Sequence, residues 1–153
     1  SKLITKSGSI FKAVNQINET TFAASCSSGS QVSGSFKIST NTALDVSSGV
    51  SVKMNLETKS LALEASSGSS IKLSGKAESG VYSASSGSSI SAGDFVTKSA
   101  VVDASSGASV KINTTESLTA SATSAASVQY RGNPSKVTKS ASERTGSTIN
   151  SIN

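Results

Sequence analysis

The sequence predicts an all-β fold, a single-stranded parallel β-helix or β-solenoid with 19–20 residues per coil. Ser-Ser-Gly recurs with its glycine at Gly29, Gly49, Gly68, Gly87 and Gly107, spaced by 20, 19, 19 and 20 residues. Aligned on these glycines, the chain shows apolar columns flanked by polar ones, with the period of two that marks strands rather than helices. The composition suits a narrow interior: only 4% of the 153 residues are aromatic, and Pro, Cys and Met occur once each. Low charge with abundant Ser and Gly can also mean disorder, but disorder does not produce columns.

Taken in order, residues 1–28 read as a looser N-terminal coil or cap. Gly8 in "KSGSI" precedes Gly29 by 21 residues, and this segment holds Phe11 and Phe22. Residues 29–128 are the regular coils. Three residues after the glycines stand Val32, Val52, Ile71, Ile90, Val110 and Val128, and two further on Gly34, Met54, Leu73, Ala92, Ile112 and Tyr130. Three before them stand Cys26, Val46, Ala65, Ala84, Ala104 and Ala122, preceded at a distance of two by Ala24, Leu44, Leu63, Tyr82, Val102 and Ala120. Each repeat thus holds two alternating segments, joined by Ser-Ser-Gly on one side and by polar turns such as "ETKS" or "TTES" on the other. A unit this short cannot bury its own apolar face; stacked in parallel on its neighbours, it can.

The five glycines are structural corners, placed where the backbone needs positive φ or close packing. "TSA" at 123–125 is a degenerate copy of the corner, and Gly146 marks another 21 residues on. Residues 129–153 read as a modified C-terminal coil or cap. They hold the only proline, Pro134, after Gly132-Asn133, yet "KVTKSAS" and "STINSI" still alternate. A modified last coil is expected, because an uncovered one invites end-to-end strand pairing. The whole, 1–153, reads as one domain.

Few residues offer chemistry. The chain has no His and one Cys, so no Cys–His pair, disulfide or familiar metal-ligand set is expected, and no cofactor. Cys26 lies in an apolar column and reads as a core residue. The serines at 27, 47, 66, 85 and 105, and at 28, 48, 67, 86 and 106, repeat by column, which marks architecture and not a single activated nucleophile. Asp45, Glu64 and Asp103 also form a column, four before the glycine, so no acid–base pair stands out; Asp-rich calcium nonapeptides and regular Thr-x-Thr ice-binding rows are missing as well. Four after the glycine come Lys53, Lys72 and Lys111, interrupted by Ser33, Ser91 and Gln129. The two charged columns read as outward rows that keep the rod soluble, or as a strip that faces an anionic glycan or a partner protein. The formal charge of +5 suits such a partner. Nucleic acid is not expected with so few aromatics to stack bases. No apolar run is long enough for a membrane span, and a start at Ser1 without Met fits a mature chain after signal removal.

The stretches "SSGSSIKLSGKAES", "VDASSGASVKI" and "QYRGNPSKVTKSAS…GSTIN", from about Gly49 to Ile149, resemble the auto-transporter adhesin head domain of Bacteroidetes known as the GIN domain. The late "YRGNP" element is matched by Tyr130, Arg131, Gly132, Asn133 and Pro134. The resemblance implies a right-handed parallel β-helix in an exported or surface-associated protein, and it carries over no catalytic residue. The final turn "SERTGS" departs from the simpler Ser/Gly run of the family. The expected function is therefore non-enzymatic: a secreted or cell-surface, outer-membrane-associated protein with a structural and adhesive role, binding a glycan or protein along one solenoid face. A subunit of a larger outer-membrane or extracellular assembly is the alternative, and a homo-oligomer a further option. A polysaccharide-active enzyme is the third reading, for which no residues can be nominated.

Overall fold

The computed structural model describes residues 2–5, 7–12, 17–141 and 146–152. It is a parallel β-solenoid of about seven turns. The strands are β1 (Lys2–Thr5), β2 (Ile10–Lys12), β3 (Ile17–Cys26), β4 (Gln31–Val46), β5 (Ser51–Ala65), β6 (Ser70–Ala84), β7 (Ser89–Ala104), β8 (Ser109–Ala122), β9 (Ser127–Arg131), β10 (Lys136–Ala141) and β11 (Thr148–Ser151). They pair in the order β1-β3-β4-β5-β6-β7-β8-β9-β11, with β2 on β4 and β10 on β8. Every pair is parallel, and equivalent residues of successive coils lie side by side, as in Val52↔Ile71, Ile71↔Ile90 and Ile90↔Val110. Pairing in this register starts at Lys2, on Ala23.

Each long strand covers most of one coil and changes direction on the way. In β5 the alternation runs from Ser51 to Thr58 and restarts at Leu61, so Lys59-Ser60 takes up the bend. There a polar turn is packed against the core, and its carbonyls are answered from inside by buried threonines. Thr58 Oγ1 lies 3.2 Å from the Thr40 and Ser60 carbonyl oxygens, and Thr114 Oγ1 lies 3.1 Å from those of Lys98 and Ser117. The Thr97 hydroxyl donates to the Asn113 carbonyl at 3.2 Å. These hydroxyls meet carbonyls that a fully aliphatic interior would leave unpaired, at a cost of about 1–3 kcal/mol each.

At the Ser-Ser-Gly corner both central residues have positive φ, as a type I′ turn requires. The second serine lies at 54–61° in every coil and the glycine at 73–77°. A Cβ added at these corner glycines would meet nothing within 4 Å. Glycine is there for its φ alone. The degenerate corner keeps the same geometry, with Ser124 at 54° and Ala125 at 65°, so an alanine occupies the left-handed region. The residue after the glycine is buried: Ser30, Ser69 and Ser88 send their hydroxyls back to the carbonyls of Ser27, Ser66 and Ser85 at 2.6–2.7 Å. Val50, Ala108 and Ala126 take the same place without that bond. Gly75 and Gly132 are different. Their φ values are 119° and 91°, and a Cβ would lie 2.1 Å from the carbonyl oxygen of Leu56 or Thr114 in the coil below.

Coils of unequal length stay in register through bulges. The extra residue between Gly29 and Gly49 is absorbed between Lys37 and Asn41, and the one between Gly87 and Gly107 near Ala92-Gly93. The core also adjusts within a coil. Tyr82, fully buried, stands where other coils have Leu44, Leu63, Val102 or Ala120, and Gly80 stands where they have Thr42, Leu61, Ala100 or Leu118. A Cβ on Gly80 would lie 2.9 Å from the Tyr82 ring, so one coil's large residue is matched by its own missing one. Cys26 is buried in the same interior and forms no disulfide. In β10, Lys139 pairs with Ala120 of an inward column, and its ammonium sits 4.8 Å from the centre of the Tyr130 ring. Residues 142–145, in the "SERTGS" turn, lie outside the described residues.

Ala125→Gly should stabilise the chain by about 1 kcal/mol and Gly68→Ala destabilise it by a similar amount, because only the left-handed strain changes. Gly75→Ala should cost clearly more than Gly68→Ala, since it adds a backbone clash; urea unfolding midpoints give the ranking. The Tyr82 hydroxyl is buried without a complete hydrogen bond. Burial pushes its phenol well above the ordinary value near 10, and the Thr97 side chain offsets this only in part. A raised phenol pKa contributes stability that is whole below pH 10 and is lost as the pH climbs beyond it. Tyr82→Phe should be neutral or stabilising at pH 7 and should flatten that alkaline loss, read as midpoint against pH.

Candidate binding faces

Outward side chains of stacked coils form rows, and the bends divide them among three faces. The first arm of each coil (residues 51–55 in β5) carries Lys12, Lys53, Lys72 and Lys111 in one row, with Ser33, Ser91, Gln129 and Asn150 between or beyond them. Lys53 and Lys72 are exposed; Lys111 is half-buried, its stem lying 3.5 Å from where a Cβ of Gly93 would be. Around the row are mainly Ser, Asn and Gln, with Ile10 and Arg131 at its ends, and among the described residues Asp94 is the one carboxylate on this arm. The signal for Lys12 was available, since it stands four residues after Gly8 as the others do after theirs.

The bend carries charges of alternating sign. Lys37, Glu57 and Lys76 lie in register, and Lys59, Glu78 and Lys98 follow one another beside them. Opposite charges on neighbouring coils attract, and these six, four Lys and two Glu, leave a net charge of +2 on this face. Counted from the corner glycines, Lys37, Glu57 and Lys76 all stand eight residues on, so this row too was available in the sequence.

The second arm (residues 60–65 in β5) carries Asp45, Glu64 and Asp103 in an exposed row, with Ser25, Ser83 and Ser121 in the uncharged coils. Beside it runs a row that the sequence does not single out: Ala23, Ala43, Ala62, Val81 and Val101, followed by Thr119. Val81 is 49% and Val101 46% exposed. Its far flank is a row of hydroxyls bonded to one another, Ser60 to Ser79 at 3.1 Å and Ser117 to Ser99 at 3.0 Å. The arm is thus a flat strip of small apolar residues with hydroxyls on one side and carboxylates on the other.

The glycines at 29, 49, 68, 87 and 107 sit at the ridge between the lysine arm and the carboxylate arm. Among the described residues no group of three or more Cys, Asp or Glu could hold a metal ion. Among them, too, no helix is long and apolar enough to cross a membrane.

The sequence matches the family described as "Putative auto-transporter adhesin, head GIN domain" over residues 1–134. The chain belongs to the GIN domain family. The match reaches further toward the N-terminus than Gly49 and stops at Pro134, before β10 and β11. Three solved structures share the fold. A "putative adhesin" of Bacteroides fragilis superposes with a TM-score of 0.77 at 14% identity, covering 99% of this chain and 93% of that one. One of Parabacteroides merdae gives 0.84 at 17% identity, covering 99% and 63%. A "Putative lipid binding protein" of Parabacteroides distasonis gives 0.71 at 19% identity, covering 99% and 61%. The chain therefore spans about three fifths of the two Parabacteroides chains. No curated protein matches it.

The lysine row should carry a stability cost that its removal relieves. Lys53 and Lys72 are directly paired neighbours of like charge. Lys53→Ser, the residue the same row has at positions 33 and 91, should raise the thermal midpoint at low salt, with the gain disappearing at about 0.5 M salt.

Proposed function

We propose that this GIN domain is a non-enzymatic, extracellular or cell-surface adhesive module that binds an anionic glycan along its lysine arm. The observation that carries the reading is the row Lys12, Lys53, Lys72 and Lys111 on a rigid lattice, set mainly among Ser and Asn with Asp94 as the one described carboxylate. A polyanion laid along the rod meets a cation on several coils at once, so weak contacts act together through a high effective concentration. Adjacent like charges are retained on this arm while the bend alternates its signs, which supports a binding role over a solubilising one. Family membership supports the surface location and adhesion.

Replacing Lys53, Lys72 and Lys111 by Ser tests the reading. At about 1 kcal/mol per lysine near an anionic surface, affinity for a sulfated or uronic polysaccharide should fall roughly 100-fold, with the fold intact by circular dichroism. Equal binding by the triple variant would remove the lysine arm from the function. Anionic-lipid vesicles form a second arm of the same measurement, since the Parabacteroides distasonis protein is described as lipid-binding.

A second reading has its own observation. The exposed Ala/Val strip on the carboxylate arm is a flat surface suited to another flat surface, which favours a subunit of a larger extracellular assembly.

A further inference from the structure

From Gly29 to Gly107 the carboxylate and lysine rows are occupied in the same coils, whereas Lys12, one coil earlier, has Ile4 as its counterpart. Asp45 and Lys53 flank Gly49, Glu64 and Lys72 flank Gly68, and Asp103 and Lys111 flank Gly107, each four residues to either side. The corners at Gly29 and Gly87 carry Ser on both sides, Ser25 with Ser33 and Ser83 with Ser91. Both rows thus show one pattern: two charged coils, a neutral one, a charged one. Among the described residues none of these six charges has an ion-pair partner within its own chain.

We propose that the carboxylate arm of one copy docks against the lysine arm of a second copy, the rods lying side by side. This deepens the assembly reading above, rests on it, and names the partner. With the rods parallel, one axial setting brings Asp45 to Lys53, Glu64 to Lys72 and Asp103 to Lys111 of the neighbour simultaneously. The coil rise of about 4.8 Å is common to both copies, so a single match fixes the others. Antiparallel rods also allow three contacts, Asp45 to Lys72, Glu64 to Lys53 and Asp103 to Lys12, so the charges fix the axial setting within either direction and not the direction itself. The Ala/Val strip lies next to the carboxylates, where the aliphatic stems of the incoming lysines can cover it while their ammonium groups reach the acid row. The contact joins two different faces, so it repeats and builds a lateral array. Such an array leaves one lysine arm open at its edge, and glycan binding and self-pairing coexist.

Sedimentation of the intact chain tests this. In about 50 mM salt the average mass should rise with concentration toward about 1 mM, and return to the monomer in about 0.5 M salt. Two charge-reversed triples, K53E/K72E/K111E and D45K/E64K/D103K, should each remain monomeric alone and associate when mixed one to one. Both reverse exposed or half-buried positions; if either fails to fold, K53S/K72S/K111S replaces it and should also be monomeric. A wild-type chain that stays monomeric, reversed variants that still self-associate, or folded variants that do not pair on mixing would each overturn the proposal. Polyanion binding, measured at concentrations where the wild type is monomeric, reports on the glycan reading separately.

Discussion

At each Ser-Ser-Gly corner the glycine N–H donates forward, to the second residue of the next corner. Gly29 reaches Ser48 at 3.0 Å, Gly49 reaches Ser67 at 3.1 Å, and Gly107 reaches Ser124 at 2.9 Å. At the first serine of the corner the direction is reversed: Ser47 donates back to Cys26, Ser66 to Val46 and Ser85 to Ala65. The two positive φ values flip the peptide plane, and each corner is held from both sides by its neighbours. That alternating ladder keeps the coils in phase, and the apolar columns, the bonded hydroxyl row and the charged rows all inherit their alignment from it. The left-handed strain at the serine, about 1–2 kcal/mol in isolation, persists because the stack over-determines the turn.

Much of this was legible in the sequence because a corner that demands positive φ writes itself as glycine and a narrow interior writes itself as period two. Val52, Ile71 and Ile90 form a column that their spacing from the glycines alone reveals, and Lys53 with Lys72 a row of the same kind. The second bend was less legible. Its conformation is set by buried Thr58, Thr97 and Thr114 hydroxyls and by bulges at different places in different coils, and no single residue type marks it. The Ala/Val strip escaped for a related reason: small apolar residues in a strand look alike whether they face in or out, and only the burial of Leu61 and Leu63 decides that Ala62 faces out.

The interior and the surface are under different rules. Inside, some coils compensate a large residue with a small one two positions away, as Gly80 beside Tyr82 and Leu118 beside Ala120 show, while Leu61 with Leu63 fills both places. Outside, the three arms differ in charge logic although they share one backbone: like charges on one, alternating charges on the bend, carboxylates beside an apolar strip on the third. A fold whose backbone is self-sufficient leaves its outward rows free to vary, and here they vary coil by coil.

The inter-coil hydrogen bonds run along the rod, which gives the molecule a mechanical character. Tension applied to the chain ends loads these bonds from one terminus, a coil at a time, instead of shearing the whole sheet at once. Each released coil of 19–20 residues would yield about 65 Å of extended chain. A tether built this way lengthens in steps under load while the coils beyond the peeled one keep their grip.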